Sequence, residues 1–183
     1  MKRLLTIICC LLSIAPVWAQ AEQFAGKIIN LGGNATELET GQWYVLFNGS
    51  TSSYVVESAG NALGVSTSSP NGTDARTNAG YLVQLESAEA DGQYYLKSGL
   101  GNYYCNVTTS KNNGTDATVA AKYAYTIASF TTAGHWSLRS NLYYLQNSSG
   151  KLLGASSKGS ENSDRDWAFR QVTFSDISDL TGK

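Results

Sequence analysis

Apolar residues in this chain alternate with polar ones or form runs of three to six, and turn-forming residues separate the runs. Tyr, Val, Thr and Leu dominate the runs, and little helical periodicity is visible beyond Ala19. Residues of this kind at a period of two are typical of β-strands. The pattern therefore predicts an all-β domain of many short strands, built as a sandwich or a barrel.

A five-residue sequence, Asn-Gly-Thr-Asp-Ala, occurs twice, at residues 71–75 and 113–117, which are 42 residues apart. A strand-like run precedes each copy, and an aromatic residue that opens another apolar run follows it. Asn-Gly favours a tight turn because both residues tolerate a positive φ. A repeat of about 40 residues indicates an internally repeated architecture.

Three units of four strands fit this repeat. In the second unit the predicted strands are residues 93–98, 102–107, 117–121 and 125–130. The third unit has predicted strands at 135–140, 141–146 and 167–172, and its third strand is expected to be lost in the polar stretch 158–164. The first unit has predicted strands at 43–47, 54–57 and 81–85.

A second register is also compatible with the sequence. Residues 54–58 with 61–65 resemble residues 144–147 with 151–155. The sequence does not decide which hairpin comes first in each unit.

Each last strand opens on an aromatic residue that we expect in a core shared by the three units, because closing the units around one axis removes exposed strand edges. These residues are Tyr81, Tyr125 and Trp167. Three aromatics of the first strands are expected in the same core, namely Trp43, Tyr94 and Trp136.

The segment from Met1 to Ala19 is predicted to be a secretory signal peptide. Lys2 and Arg3 give a charged start, an apolar run too short to span a bilayer follows, and Val17-Trp18-Ala19 suits cleavage before Gln20. The expected division is then a signal peptide at 1–19, an N-terminal segment at 20–40, the β-domain at 41–174 and a polar tail or linker at 175–183. Residues 27–31 are expected to add an edge strand that Gly32-Gly33-Asn34 ends.

Without the signal peptide the formal charge is −3, and Cys105 is the remaining cysteine. A basic stripe for nucleic acid is absent from the sequence, and the charge disfavours a membrane surface. An intrachain disulfide is impossible with one thiol, and Cys105 lies in a strand pattern that indicates packing.

The sequence offers little for catalysis. His135 is the sole histidine and is expected at the surface; no serine stands in a nucleophile elbow, and no cluster has metal-ligand spacing. We therefore predict no enzyme activity, no catalytic residues, no metal and no cofactor.

Three units of about 42 residues, each with a turn before its last aromatic, resemble the β-trefoil fold. The Asn-Gly-Thr turn before an aromatic strand is similar to ricin-type lectins, and residues 95–98 with 101–104 resemble fascin-like repeats. The resemblance implies a β-trefoil of three four-stranded repeats with pseudo-threefold symmetry. It also implies a role in carbohydrate binding, although trefoils serve other functions as well.

The ricin-type galactose pocket uses an Asp that this chain lacks. The matching positions read Leu63-Gly64, Tyr104-Cys105 and Leu153-Gly154. The resemblance therefore implies a ligand geometry different from the galactose type, or no sugar site.

Polar side chains beside an aromatic ring are what a sugar site requires, since sugars offer hydroxyl groups and one apolar face. The first unit offers Asn71, Asp74 and Asn78 with Tyr54, and the second offers Asn113 and Asp116 with Tyr103. In the third unit Asp164 is the matching acid, so we expect that site to be weaker.

The sequence thus predicts a secreted, non-catalytic, lectin-like module whose partner is a glycan or polysaccharide, with no nucleic acid and no membrane insertion. A trefoil protease inhibitor is one alternative, with Ala75-Arg76-Thr77 as the inhibitory loop. A structural or adhesive accessory domain of a larger secreted protein is another. The oligomeric state is left open.

Overall fold

The structure is a computed structural model that describes residues 21–58, 62–104, 122–156 and 162–180. In this part of the chain, β-strands and short 3-10 helices make up the secondary structure. The strands are β1 (Lys27–Asn34), β2 (Trp43–Asn48), β3 (Ser53–Ser58), β4 (Ala62–Ser66), β5 (Leu82–Ser87), β6 (Gln93–Ser98), β7 (Tyr125–Ser129), β8 (Trp136–Ser140), β9 (Tyr143–Ser148), β10 (Lys151–Ser156) and β11 (Trp167–Asp176). The 3-10 helices are Glu22–Phe24, Ala79–Tyr81, Ser163–Arg165 and Ile177–Leu180.

Six antiparallel strands form a closed barrel in the order β11-β2-β5-β6-β7-β8. Pairing between Trp167 of β11 and Trp136 of β8 closes it. The hairpins β3–β4 and β9–β10 extend from β2 and β8. The barrel strands come as one pair from each of the three units, so the predicted all-β fold with threefold repetition is confirmed.

The third unit is more complete than the first register predicts. The prediction that its third strand is lost at residues 158–164 is wrong, because β10 (Lys151–Ser156) pairs along its whole length with β9. Ser149 and Gly150 both have positive φ and form the two-residue turn that this hairpin needs. The second register relates β3–β4 to β9–β10. The second unit's predicted strand at 117–121, and most of the one at 102–107, lie outside the described residues.

The N-terminal strand β1 is longer than predicted. Gly32-Gly33-Asn34 does not end it, since Asn34 still pairs with Arg170 of β11. The register shifts between Leu31 and Asn34, so the two glycines are accommodated as an irregularity within the strand. Strand β11 runs on to Asp176, where it pairs with Lys27.

The main core lies inside the barrel, where Tyr125 and Trp167 have no exposed surface. Val83 is also fully buried and is related to them by steps of 42 residues. The prediction that Tyr81 fills the first unit's place is therefore wrong. Tyr81 is half-buried against a second cluster formed with the N-terminal strand.

The prediction for Trp43 is wrong for a related reason. The barrel residue of β2 is Tyr44, which is fully buried and pairs with Val83. Neighbouring strand residues point to opposite faces, so Trp43 packs on the second cluster instead. Tyr94 and Trp136 are partly buried and pack against the main core as expected.

A buried carboxylate connects the first two units. Glu57 is 3% exposed, and its Oε1 accepts a hydrogen bond of 2.5 Å from the Asn102 side-chain amide. Within the described part of the chain, its Oε2 and the hydroxyl of Tyr104 are buried without hydrogen-bond partners. Burial raises the pKa of Glu57, although hydrogen bonds from Ser98 and Asn102 oppose the rise. Burial, together with the nearby Glu57, also raises the pKa of Tyr104.

We expect Glu57 to make the protein less stable as the pH rises. A carboxyl group with a raised folded-state pKa binds its proton more tightly when folded. Its contribution is complete below the unfolded-state pKa of about 4.3 and is lost as the pH rises through the folded-state pKa. Glu57→Gln keeps an amide oxygen for Asn102 and removes the titration. In urea unfolding from pH 5 to pH 8, the variant should gain stability relative to the wild type as the pH rises. A constant difference across this range would show that Glu57 titrates normally.

Candidate functional site

The first repeated loop is fastened to the N-terminal strand. The side-chain oxygen of Asn71 accepts a hydrogen bond of 2.8 Å from the backbone of Leu31. The Gly72 backbone donates to Ile29 at 2.7 Å, and Ile29 donates back to Thr73 at 2.9 Å. The Asn-Gly turn therefore holds β1 in place, and much of its polar capacity is used inside the protein.

Asp74 and Asn78 stabilise the same loop. Oδ1 of Asp74 accepts from the Thr77 backbone at 2.8 Å, and the Asn78 amide donates to the Asp74 carbonyl at 3.1 Å. Tyr54, the aromatic predicted to accompany them, is only 7% exposed. Its ring packs on Phe47 with 4.9 Å between centroids, which leaves little of it open to a sugar.

The second unit presents a more accessible aromatic group, which we call the Tyr103 surface and define as Glu86, Glu89, Tyr95, Lys97, Tyr103 and Lys122. The Tyr103 hydroxyl donates to Glu86 at 2.8 Å. Lys97 and Lys122 lie 3.4 and 3.3 Å from the two oxygens of the same carboxylate. Asn113 and Asp116, the other predicted residues of this unit, lie outside the described residues.

The charges of the Tyr103 surface hold one another in place. Burial raises the pKa of Glu86, but the Tyr103 hydroxyl and the two lysines outweigh this and lower it below its ordinary value. Hydrogen bonds with Tyr103 and Glu86 raise the pKa of Lys122. The Lys122 ammonium lies 4.2 Å from the centre of the Tyr103 ring. The site therefore keeps an ionised carboxylate beside an aromatic ring.

Tyr95 extends the surface along β6. Its hydroxyl donates to both oxygens of Glu89 at 2.9 Å, and this hydrogen bond raises its pKa. Lys122 lies 5.5 Å from the centre of its ring as well as above Tyr103. Two rings, two carboxylates and two ammonium groups thus meet at one half-exposed place.

In the third unit Asp164 lies in the short helix before β11. Asn162 caps this helix by accepting from the Asp164 backbone at 2.8 Å. The Asp164 carbonyl, in turn, accepts from the buried Asn48 amide at 3.3 Å. Its neighbour Arg165 lies 5.4 Å from the centre of the Tyr144 ring. The third unit therefore presents a tyrosine covered by a guanidinium group.

The three tyrosines of these units occupy equivalent positions. Tyr54, Tyr103 and Tyr144 pair across to Phe47, Lys97 and Arg139 of their respective first strands. A cation lies over each ring, which for Tyr54 is Arg170 at 5.9 Å. Sequence reasoning missed the lysines and Glu86 because they come from other strands, although the tyrosines themselves are visible as the residues that follow each first strand.

His135 is half-buried, and its Nδ1 lies 2.8 Å from the carboxylate of Asp166. The sequence prediction had placed His135 at the surface and paired the acids of residues 164–166 with Arg165 or with solvent. Among the described residues, no group of three His, Cys, Asp or Glu is arranged to hold a metal ion. No described helix is long and apolar enough to cross a membrane.

Comparison with solved structures decides the fold. The chain is similar to the Rhizoctonia solani agglutinin, with 13% identity and a TM-score of 0.58 over 74% of this chain and 97% of that one. The fold is that of a β-trefoil. The resemblance seen in the sequence is therefore confirmed, with the barrel formed by the first and last strands of each unit.

Two further solved structures have the same fold. One is the β-trefoil BEL, with 12% identity and a TM-score of 0.58, covering 77% of this chain and 100% of that one. The other is the Polyporus squamosus lectin, solved with a Neu5Acα2-6Galβ1-4GlcNAc epitope, with 12% identity and a TM-score of 0.57 over 74% of this trefoil. This trefoil spans about half the length of the Polyporus squamosus lectin. No protein-family model matches the sequence, and no curated protein is detectably similar to it.

Proposed function

We propose that the mature chain is a secreted, non-catalytic carbohydrate-binding module. The observation that carries this proposal is the Tyr103 surface, where two tyrosine rings stand beside ionised carboxylates on a β-trefoil. Sugar recognition needs a ring to stack on and groups that accept and donate hydrogen bonds. The lectins among the similar solved structures support the same function.

The Tyr103 surface supplies each part of such a site. The carboxylates of Glu86 and Glu89 accept hydrogen bonds from sugar hydroxyls, and Lys97 donates to them. A sugar ring that stacks on Tyr103 displaces the Lys122 ammonium, which is half-exposed and retains its ion pair with Glu86. Since an exposed ion pair contributes little to stability, this rearrangement costs little.

Export is part of the proposal and rests on the segment from Met1 to Ala19. The charged start, the short apolar run and the small residue at position 19 are the three parts of a secretory signal peptide. A glycan-binding module that acts outside the cell meets polysaccharides and glycoconjugates there.

The inhibitor alternative receives less support. Ala75 of the suggested inhibitory loop is fully buried, and its backbone donates to the Lys27 carbonyl at 2.8 Å. The next residue, Arg76, forms an ion pair with Glu22. An inhibitor loop has to enter a protease with its backbone free, whereas this one is bound to the protein on both sides.

A glycan array on the mature chain from Gln20, run beside a panel of serine and cysteine proteases, tests the proposal. We expect at least one class of glycan to bind and no protease to be inhibited. A single shallow site should bind a monosaccharide with a dissociation constant on the order of millimolar, so the array should use multivalent display. Inhibition of a protease without any glycan signal would replace this function with the inhibitor alternative.

A further inference from the structure

A second polar cleft lies away from the Tyr103 surface, between the hairpins of the first and third units. It has a volume of about 390 Å³, and its walls come from the two turns and from strands β3 and β4. Strands β4 and β10 contact each other beside it. The described residues that line it are Thr51, Ser53, Val65, Ser66, Thr67 and Gly150.

The hydroxyl groups on one wall have a fixed direction. The Thr51 hydroxyl donates to the side-chain oxygen of Asn48 at 2.9 Å. Because its proton is used there, Thr51 accepts from Ser53 at 2.6 Å and from the Asn147 amide at 2.6 Å. Ser53 also accepts from the second Asn147 proton at 2.6 Å. Ser53 has therefore given away its proton and keeps one lone pair for a ligand.

The opposite wall has the reverse polarity. Ser66 accepts from the Ser68 backbone at 3.1 Å and from the Tyr81 hydroxyl at 2.9 Å. Both of its lone pairs are thus used, which leaves its own proton to donate. The cleft therefore offers an acceptor at Ser53 and a donor at Ser66, and Thr67 adds an exposed hydroxyl.

We propose that this cleft binds a neutral saccharide, an inference that rests on the proposed carbohydrate binding. A sugar hydroxyl both donates and accepts, so it matches a wall with one acceptor and one donor. None of the six described residues that line the cleft is charged, which favours a neutral sugar over an acidic one. Val65 supplies an apolar contact for the ring, and the volume suits a monosaccharide or disaccharide, at the lower end of ordinary ligand sites.

Gly150 gives a direct way to close the cleft. It has a φ of 77°, and a β-carbon there meets nothing within 4 Å, so a side chain at this position projects into open space. Asn tolerates a positive φ better than most residues. Gly150→Asn should therefore fill the cleft at a modest cost in stability. Gly26→Asn is a matched control, since Gly26 has a φ of 71° and equally open surroundings outside the cleft.

The test is saturation-transfer NMR on the mature chain with the methyl glycosides of galactose, glucose, mannose, N-acetylglucosamine and N-acetylneuraminic acid. At least one neutral glycoside should give a signal that falls five-fold or more in Gly150→Asn and persists in Gly26→Asn and Tyr103→Ala. If Gly150→Asn does not fold, Ser66→Ala should show the same loss.

Several results would overturn the cleft proposal. A signal that is unchanged in the folded Gly150→Asn variant and lost in Tyr103→Ala removes the cleft and leaves the proposed function intact. Stronger transfer to the N-acetylneuraminic acid glycoside through this cleft rules out the neutral class. If no glycoside gives a signal, the cleft proposal fails, and the glycan array decides separately whether the chain binds carbohydrate.

Discussion

Replacing Trp167 with alanine should destabilise the protein by about 3–5 kcal/mol, the usual cost of removing a large buried aromatic side chain. The ring has no exposed surface and lies where β11 closes the barrel against β8. Its indole N–H donates to the Leu145 carbonyl at 2.9 Å, so the substitution also leaves a buried acceptor without its donor.

Urea unfolding followed by circular dichroism measures this loss, and two other variants interpret it. Trp167→Phe keeps most of the ring and loses the hydrogen bond, so it should cost less than the alanine variant. Leu142→Ala changes a side chain that is 62% exposed and should stay within about 0.5 kcal/mol of the wild type. A loss below about 1 kcal/mol for Trp167→Ala would mean that the barrel does not close on this ring.

The repeat could be predicted from the sequence because its spacing is written in the residues themselves. Two copies of one turn, at 71–75 and 113–117, were enough to predict three units, and Tyr125 and Trp167 follow the same spacing into the core. The first unit was harder, because its barrel residue is Val83, which has no aromatic ring to mark it. Trp43 and Tyr44 are both aromatic neighbours, and only the pairing of Tyr44 with Val83 decides which one faces inward.

The turns were predicted correctly as turns, but their partners could not be predicted. Asn71 is bound to Leu31, 40 residues earlier in the chain, through a strand whose position depends on β11. The sequence shows an exposed polar loop in either case. Its side chains look available for a ligand until the strand that they hold is known.

The Tyr103 surface shows the same limit from the other side. Tyr103 is visible in the sequence, but Glu86 is 17 residues before it, and Lys122 is 36 residues after Glu86. These residues meet because β5, β6 and the segment before β7 are neighbours in the barrel. A site assembled from three separate segments has no local pattern that would reveal it.

Removing the Tyr103 side chain should weaken glycan binding at least tenfold, or about 1.4 kcal/mol. The substitution removes the ring on which a sugar stacks and the hydroxyl that orients Glu86. Truncating a central aromatic residue of a binding surface commonly costs this much or more. Because Tyr103 is half-exposed and lies outside the main core, we expect the variant to fold.

Titration calorimetry with the glycan that binds best on the array tests this claim most directly. The wild type, Tyr103→Ala and Tyr144→Ala should be compared, since Tyr144 is the equivalent residue of the third unit and its ring is contacted by Arg165. Binding should be at least tenfold weaker in Tyr103→Ala and within twofold of the wild type in Tyr144→Ala. Equal affinity of the wild type and a folded Tyr103→Ala variant would contradict the account and remove the Tyr103 surface from the binding site.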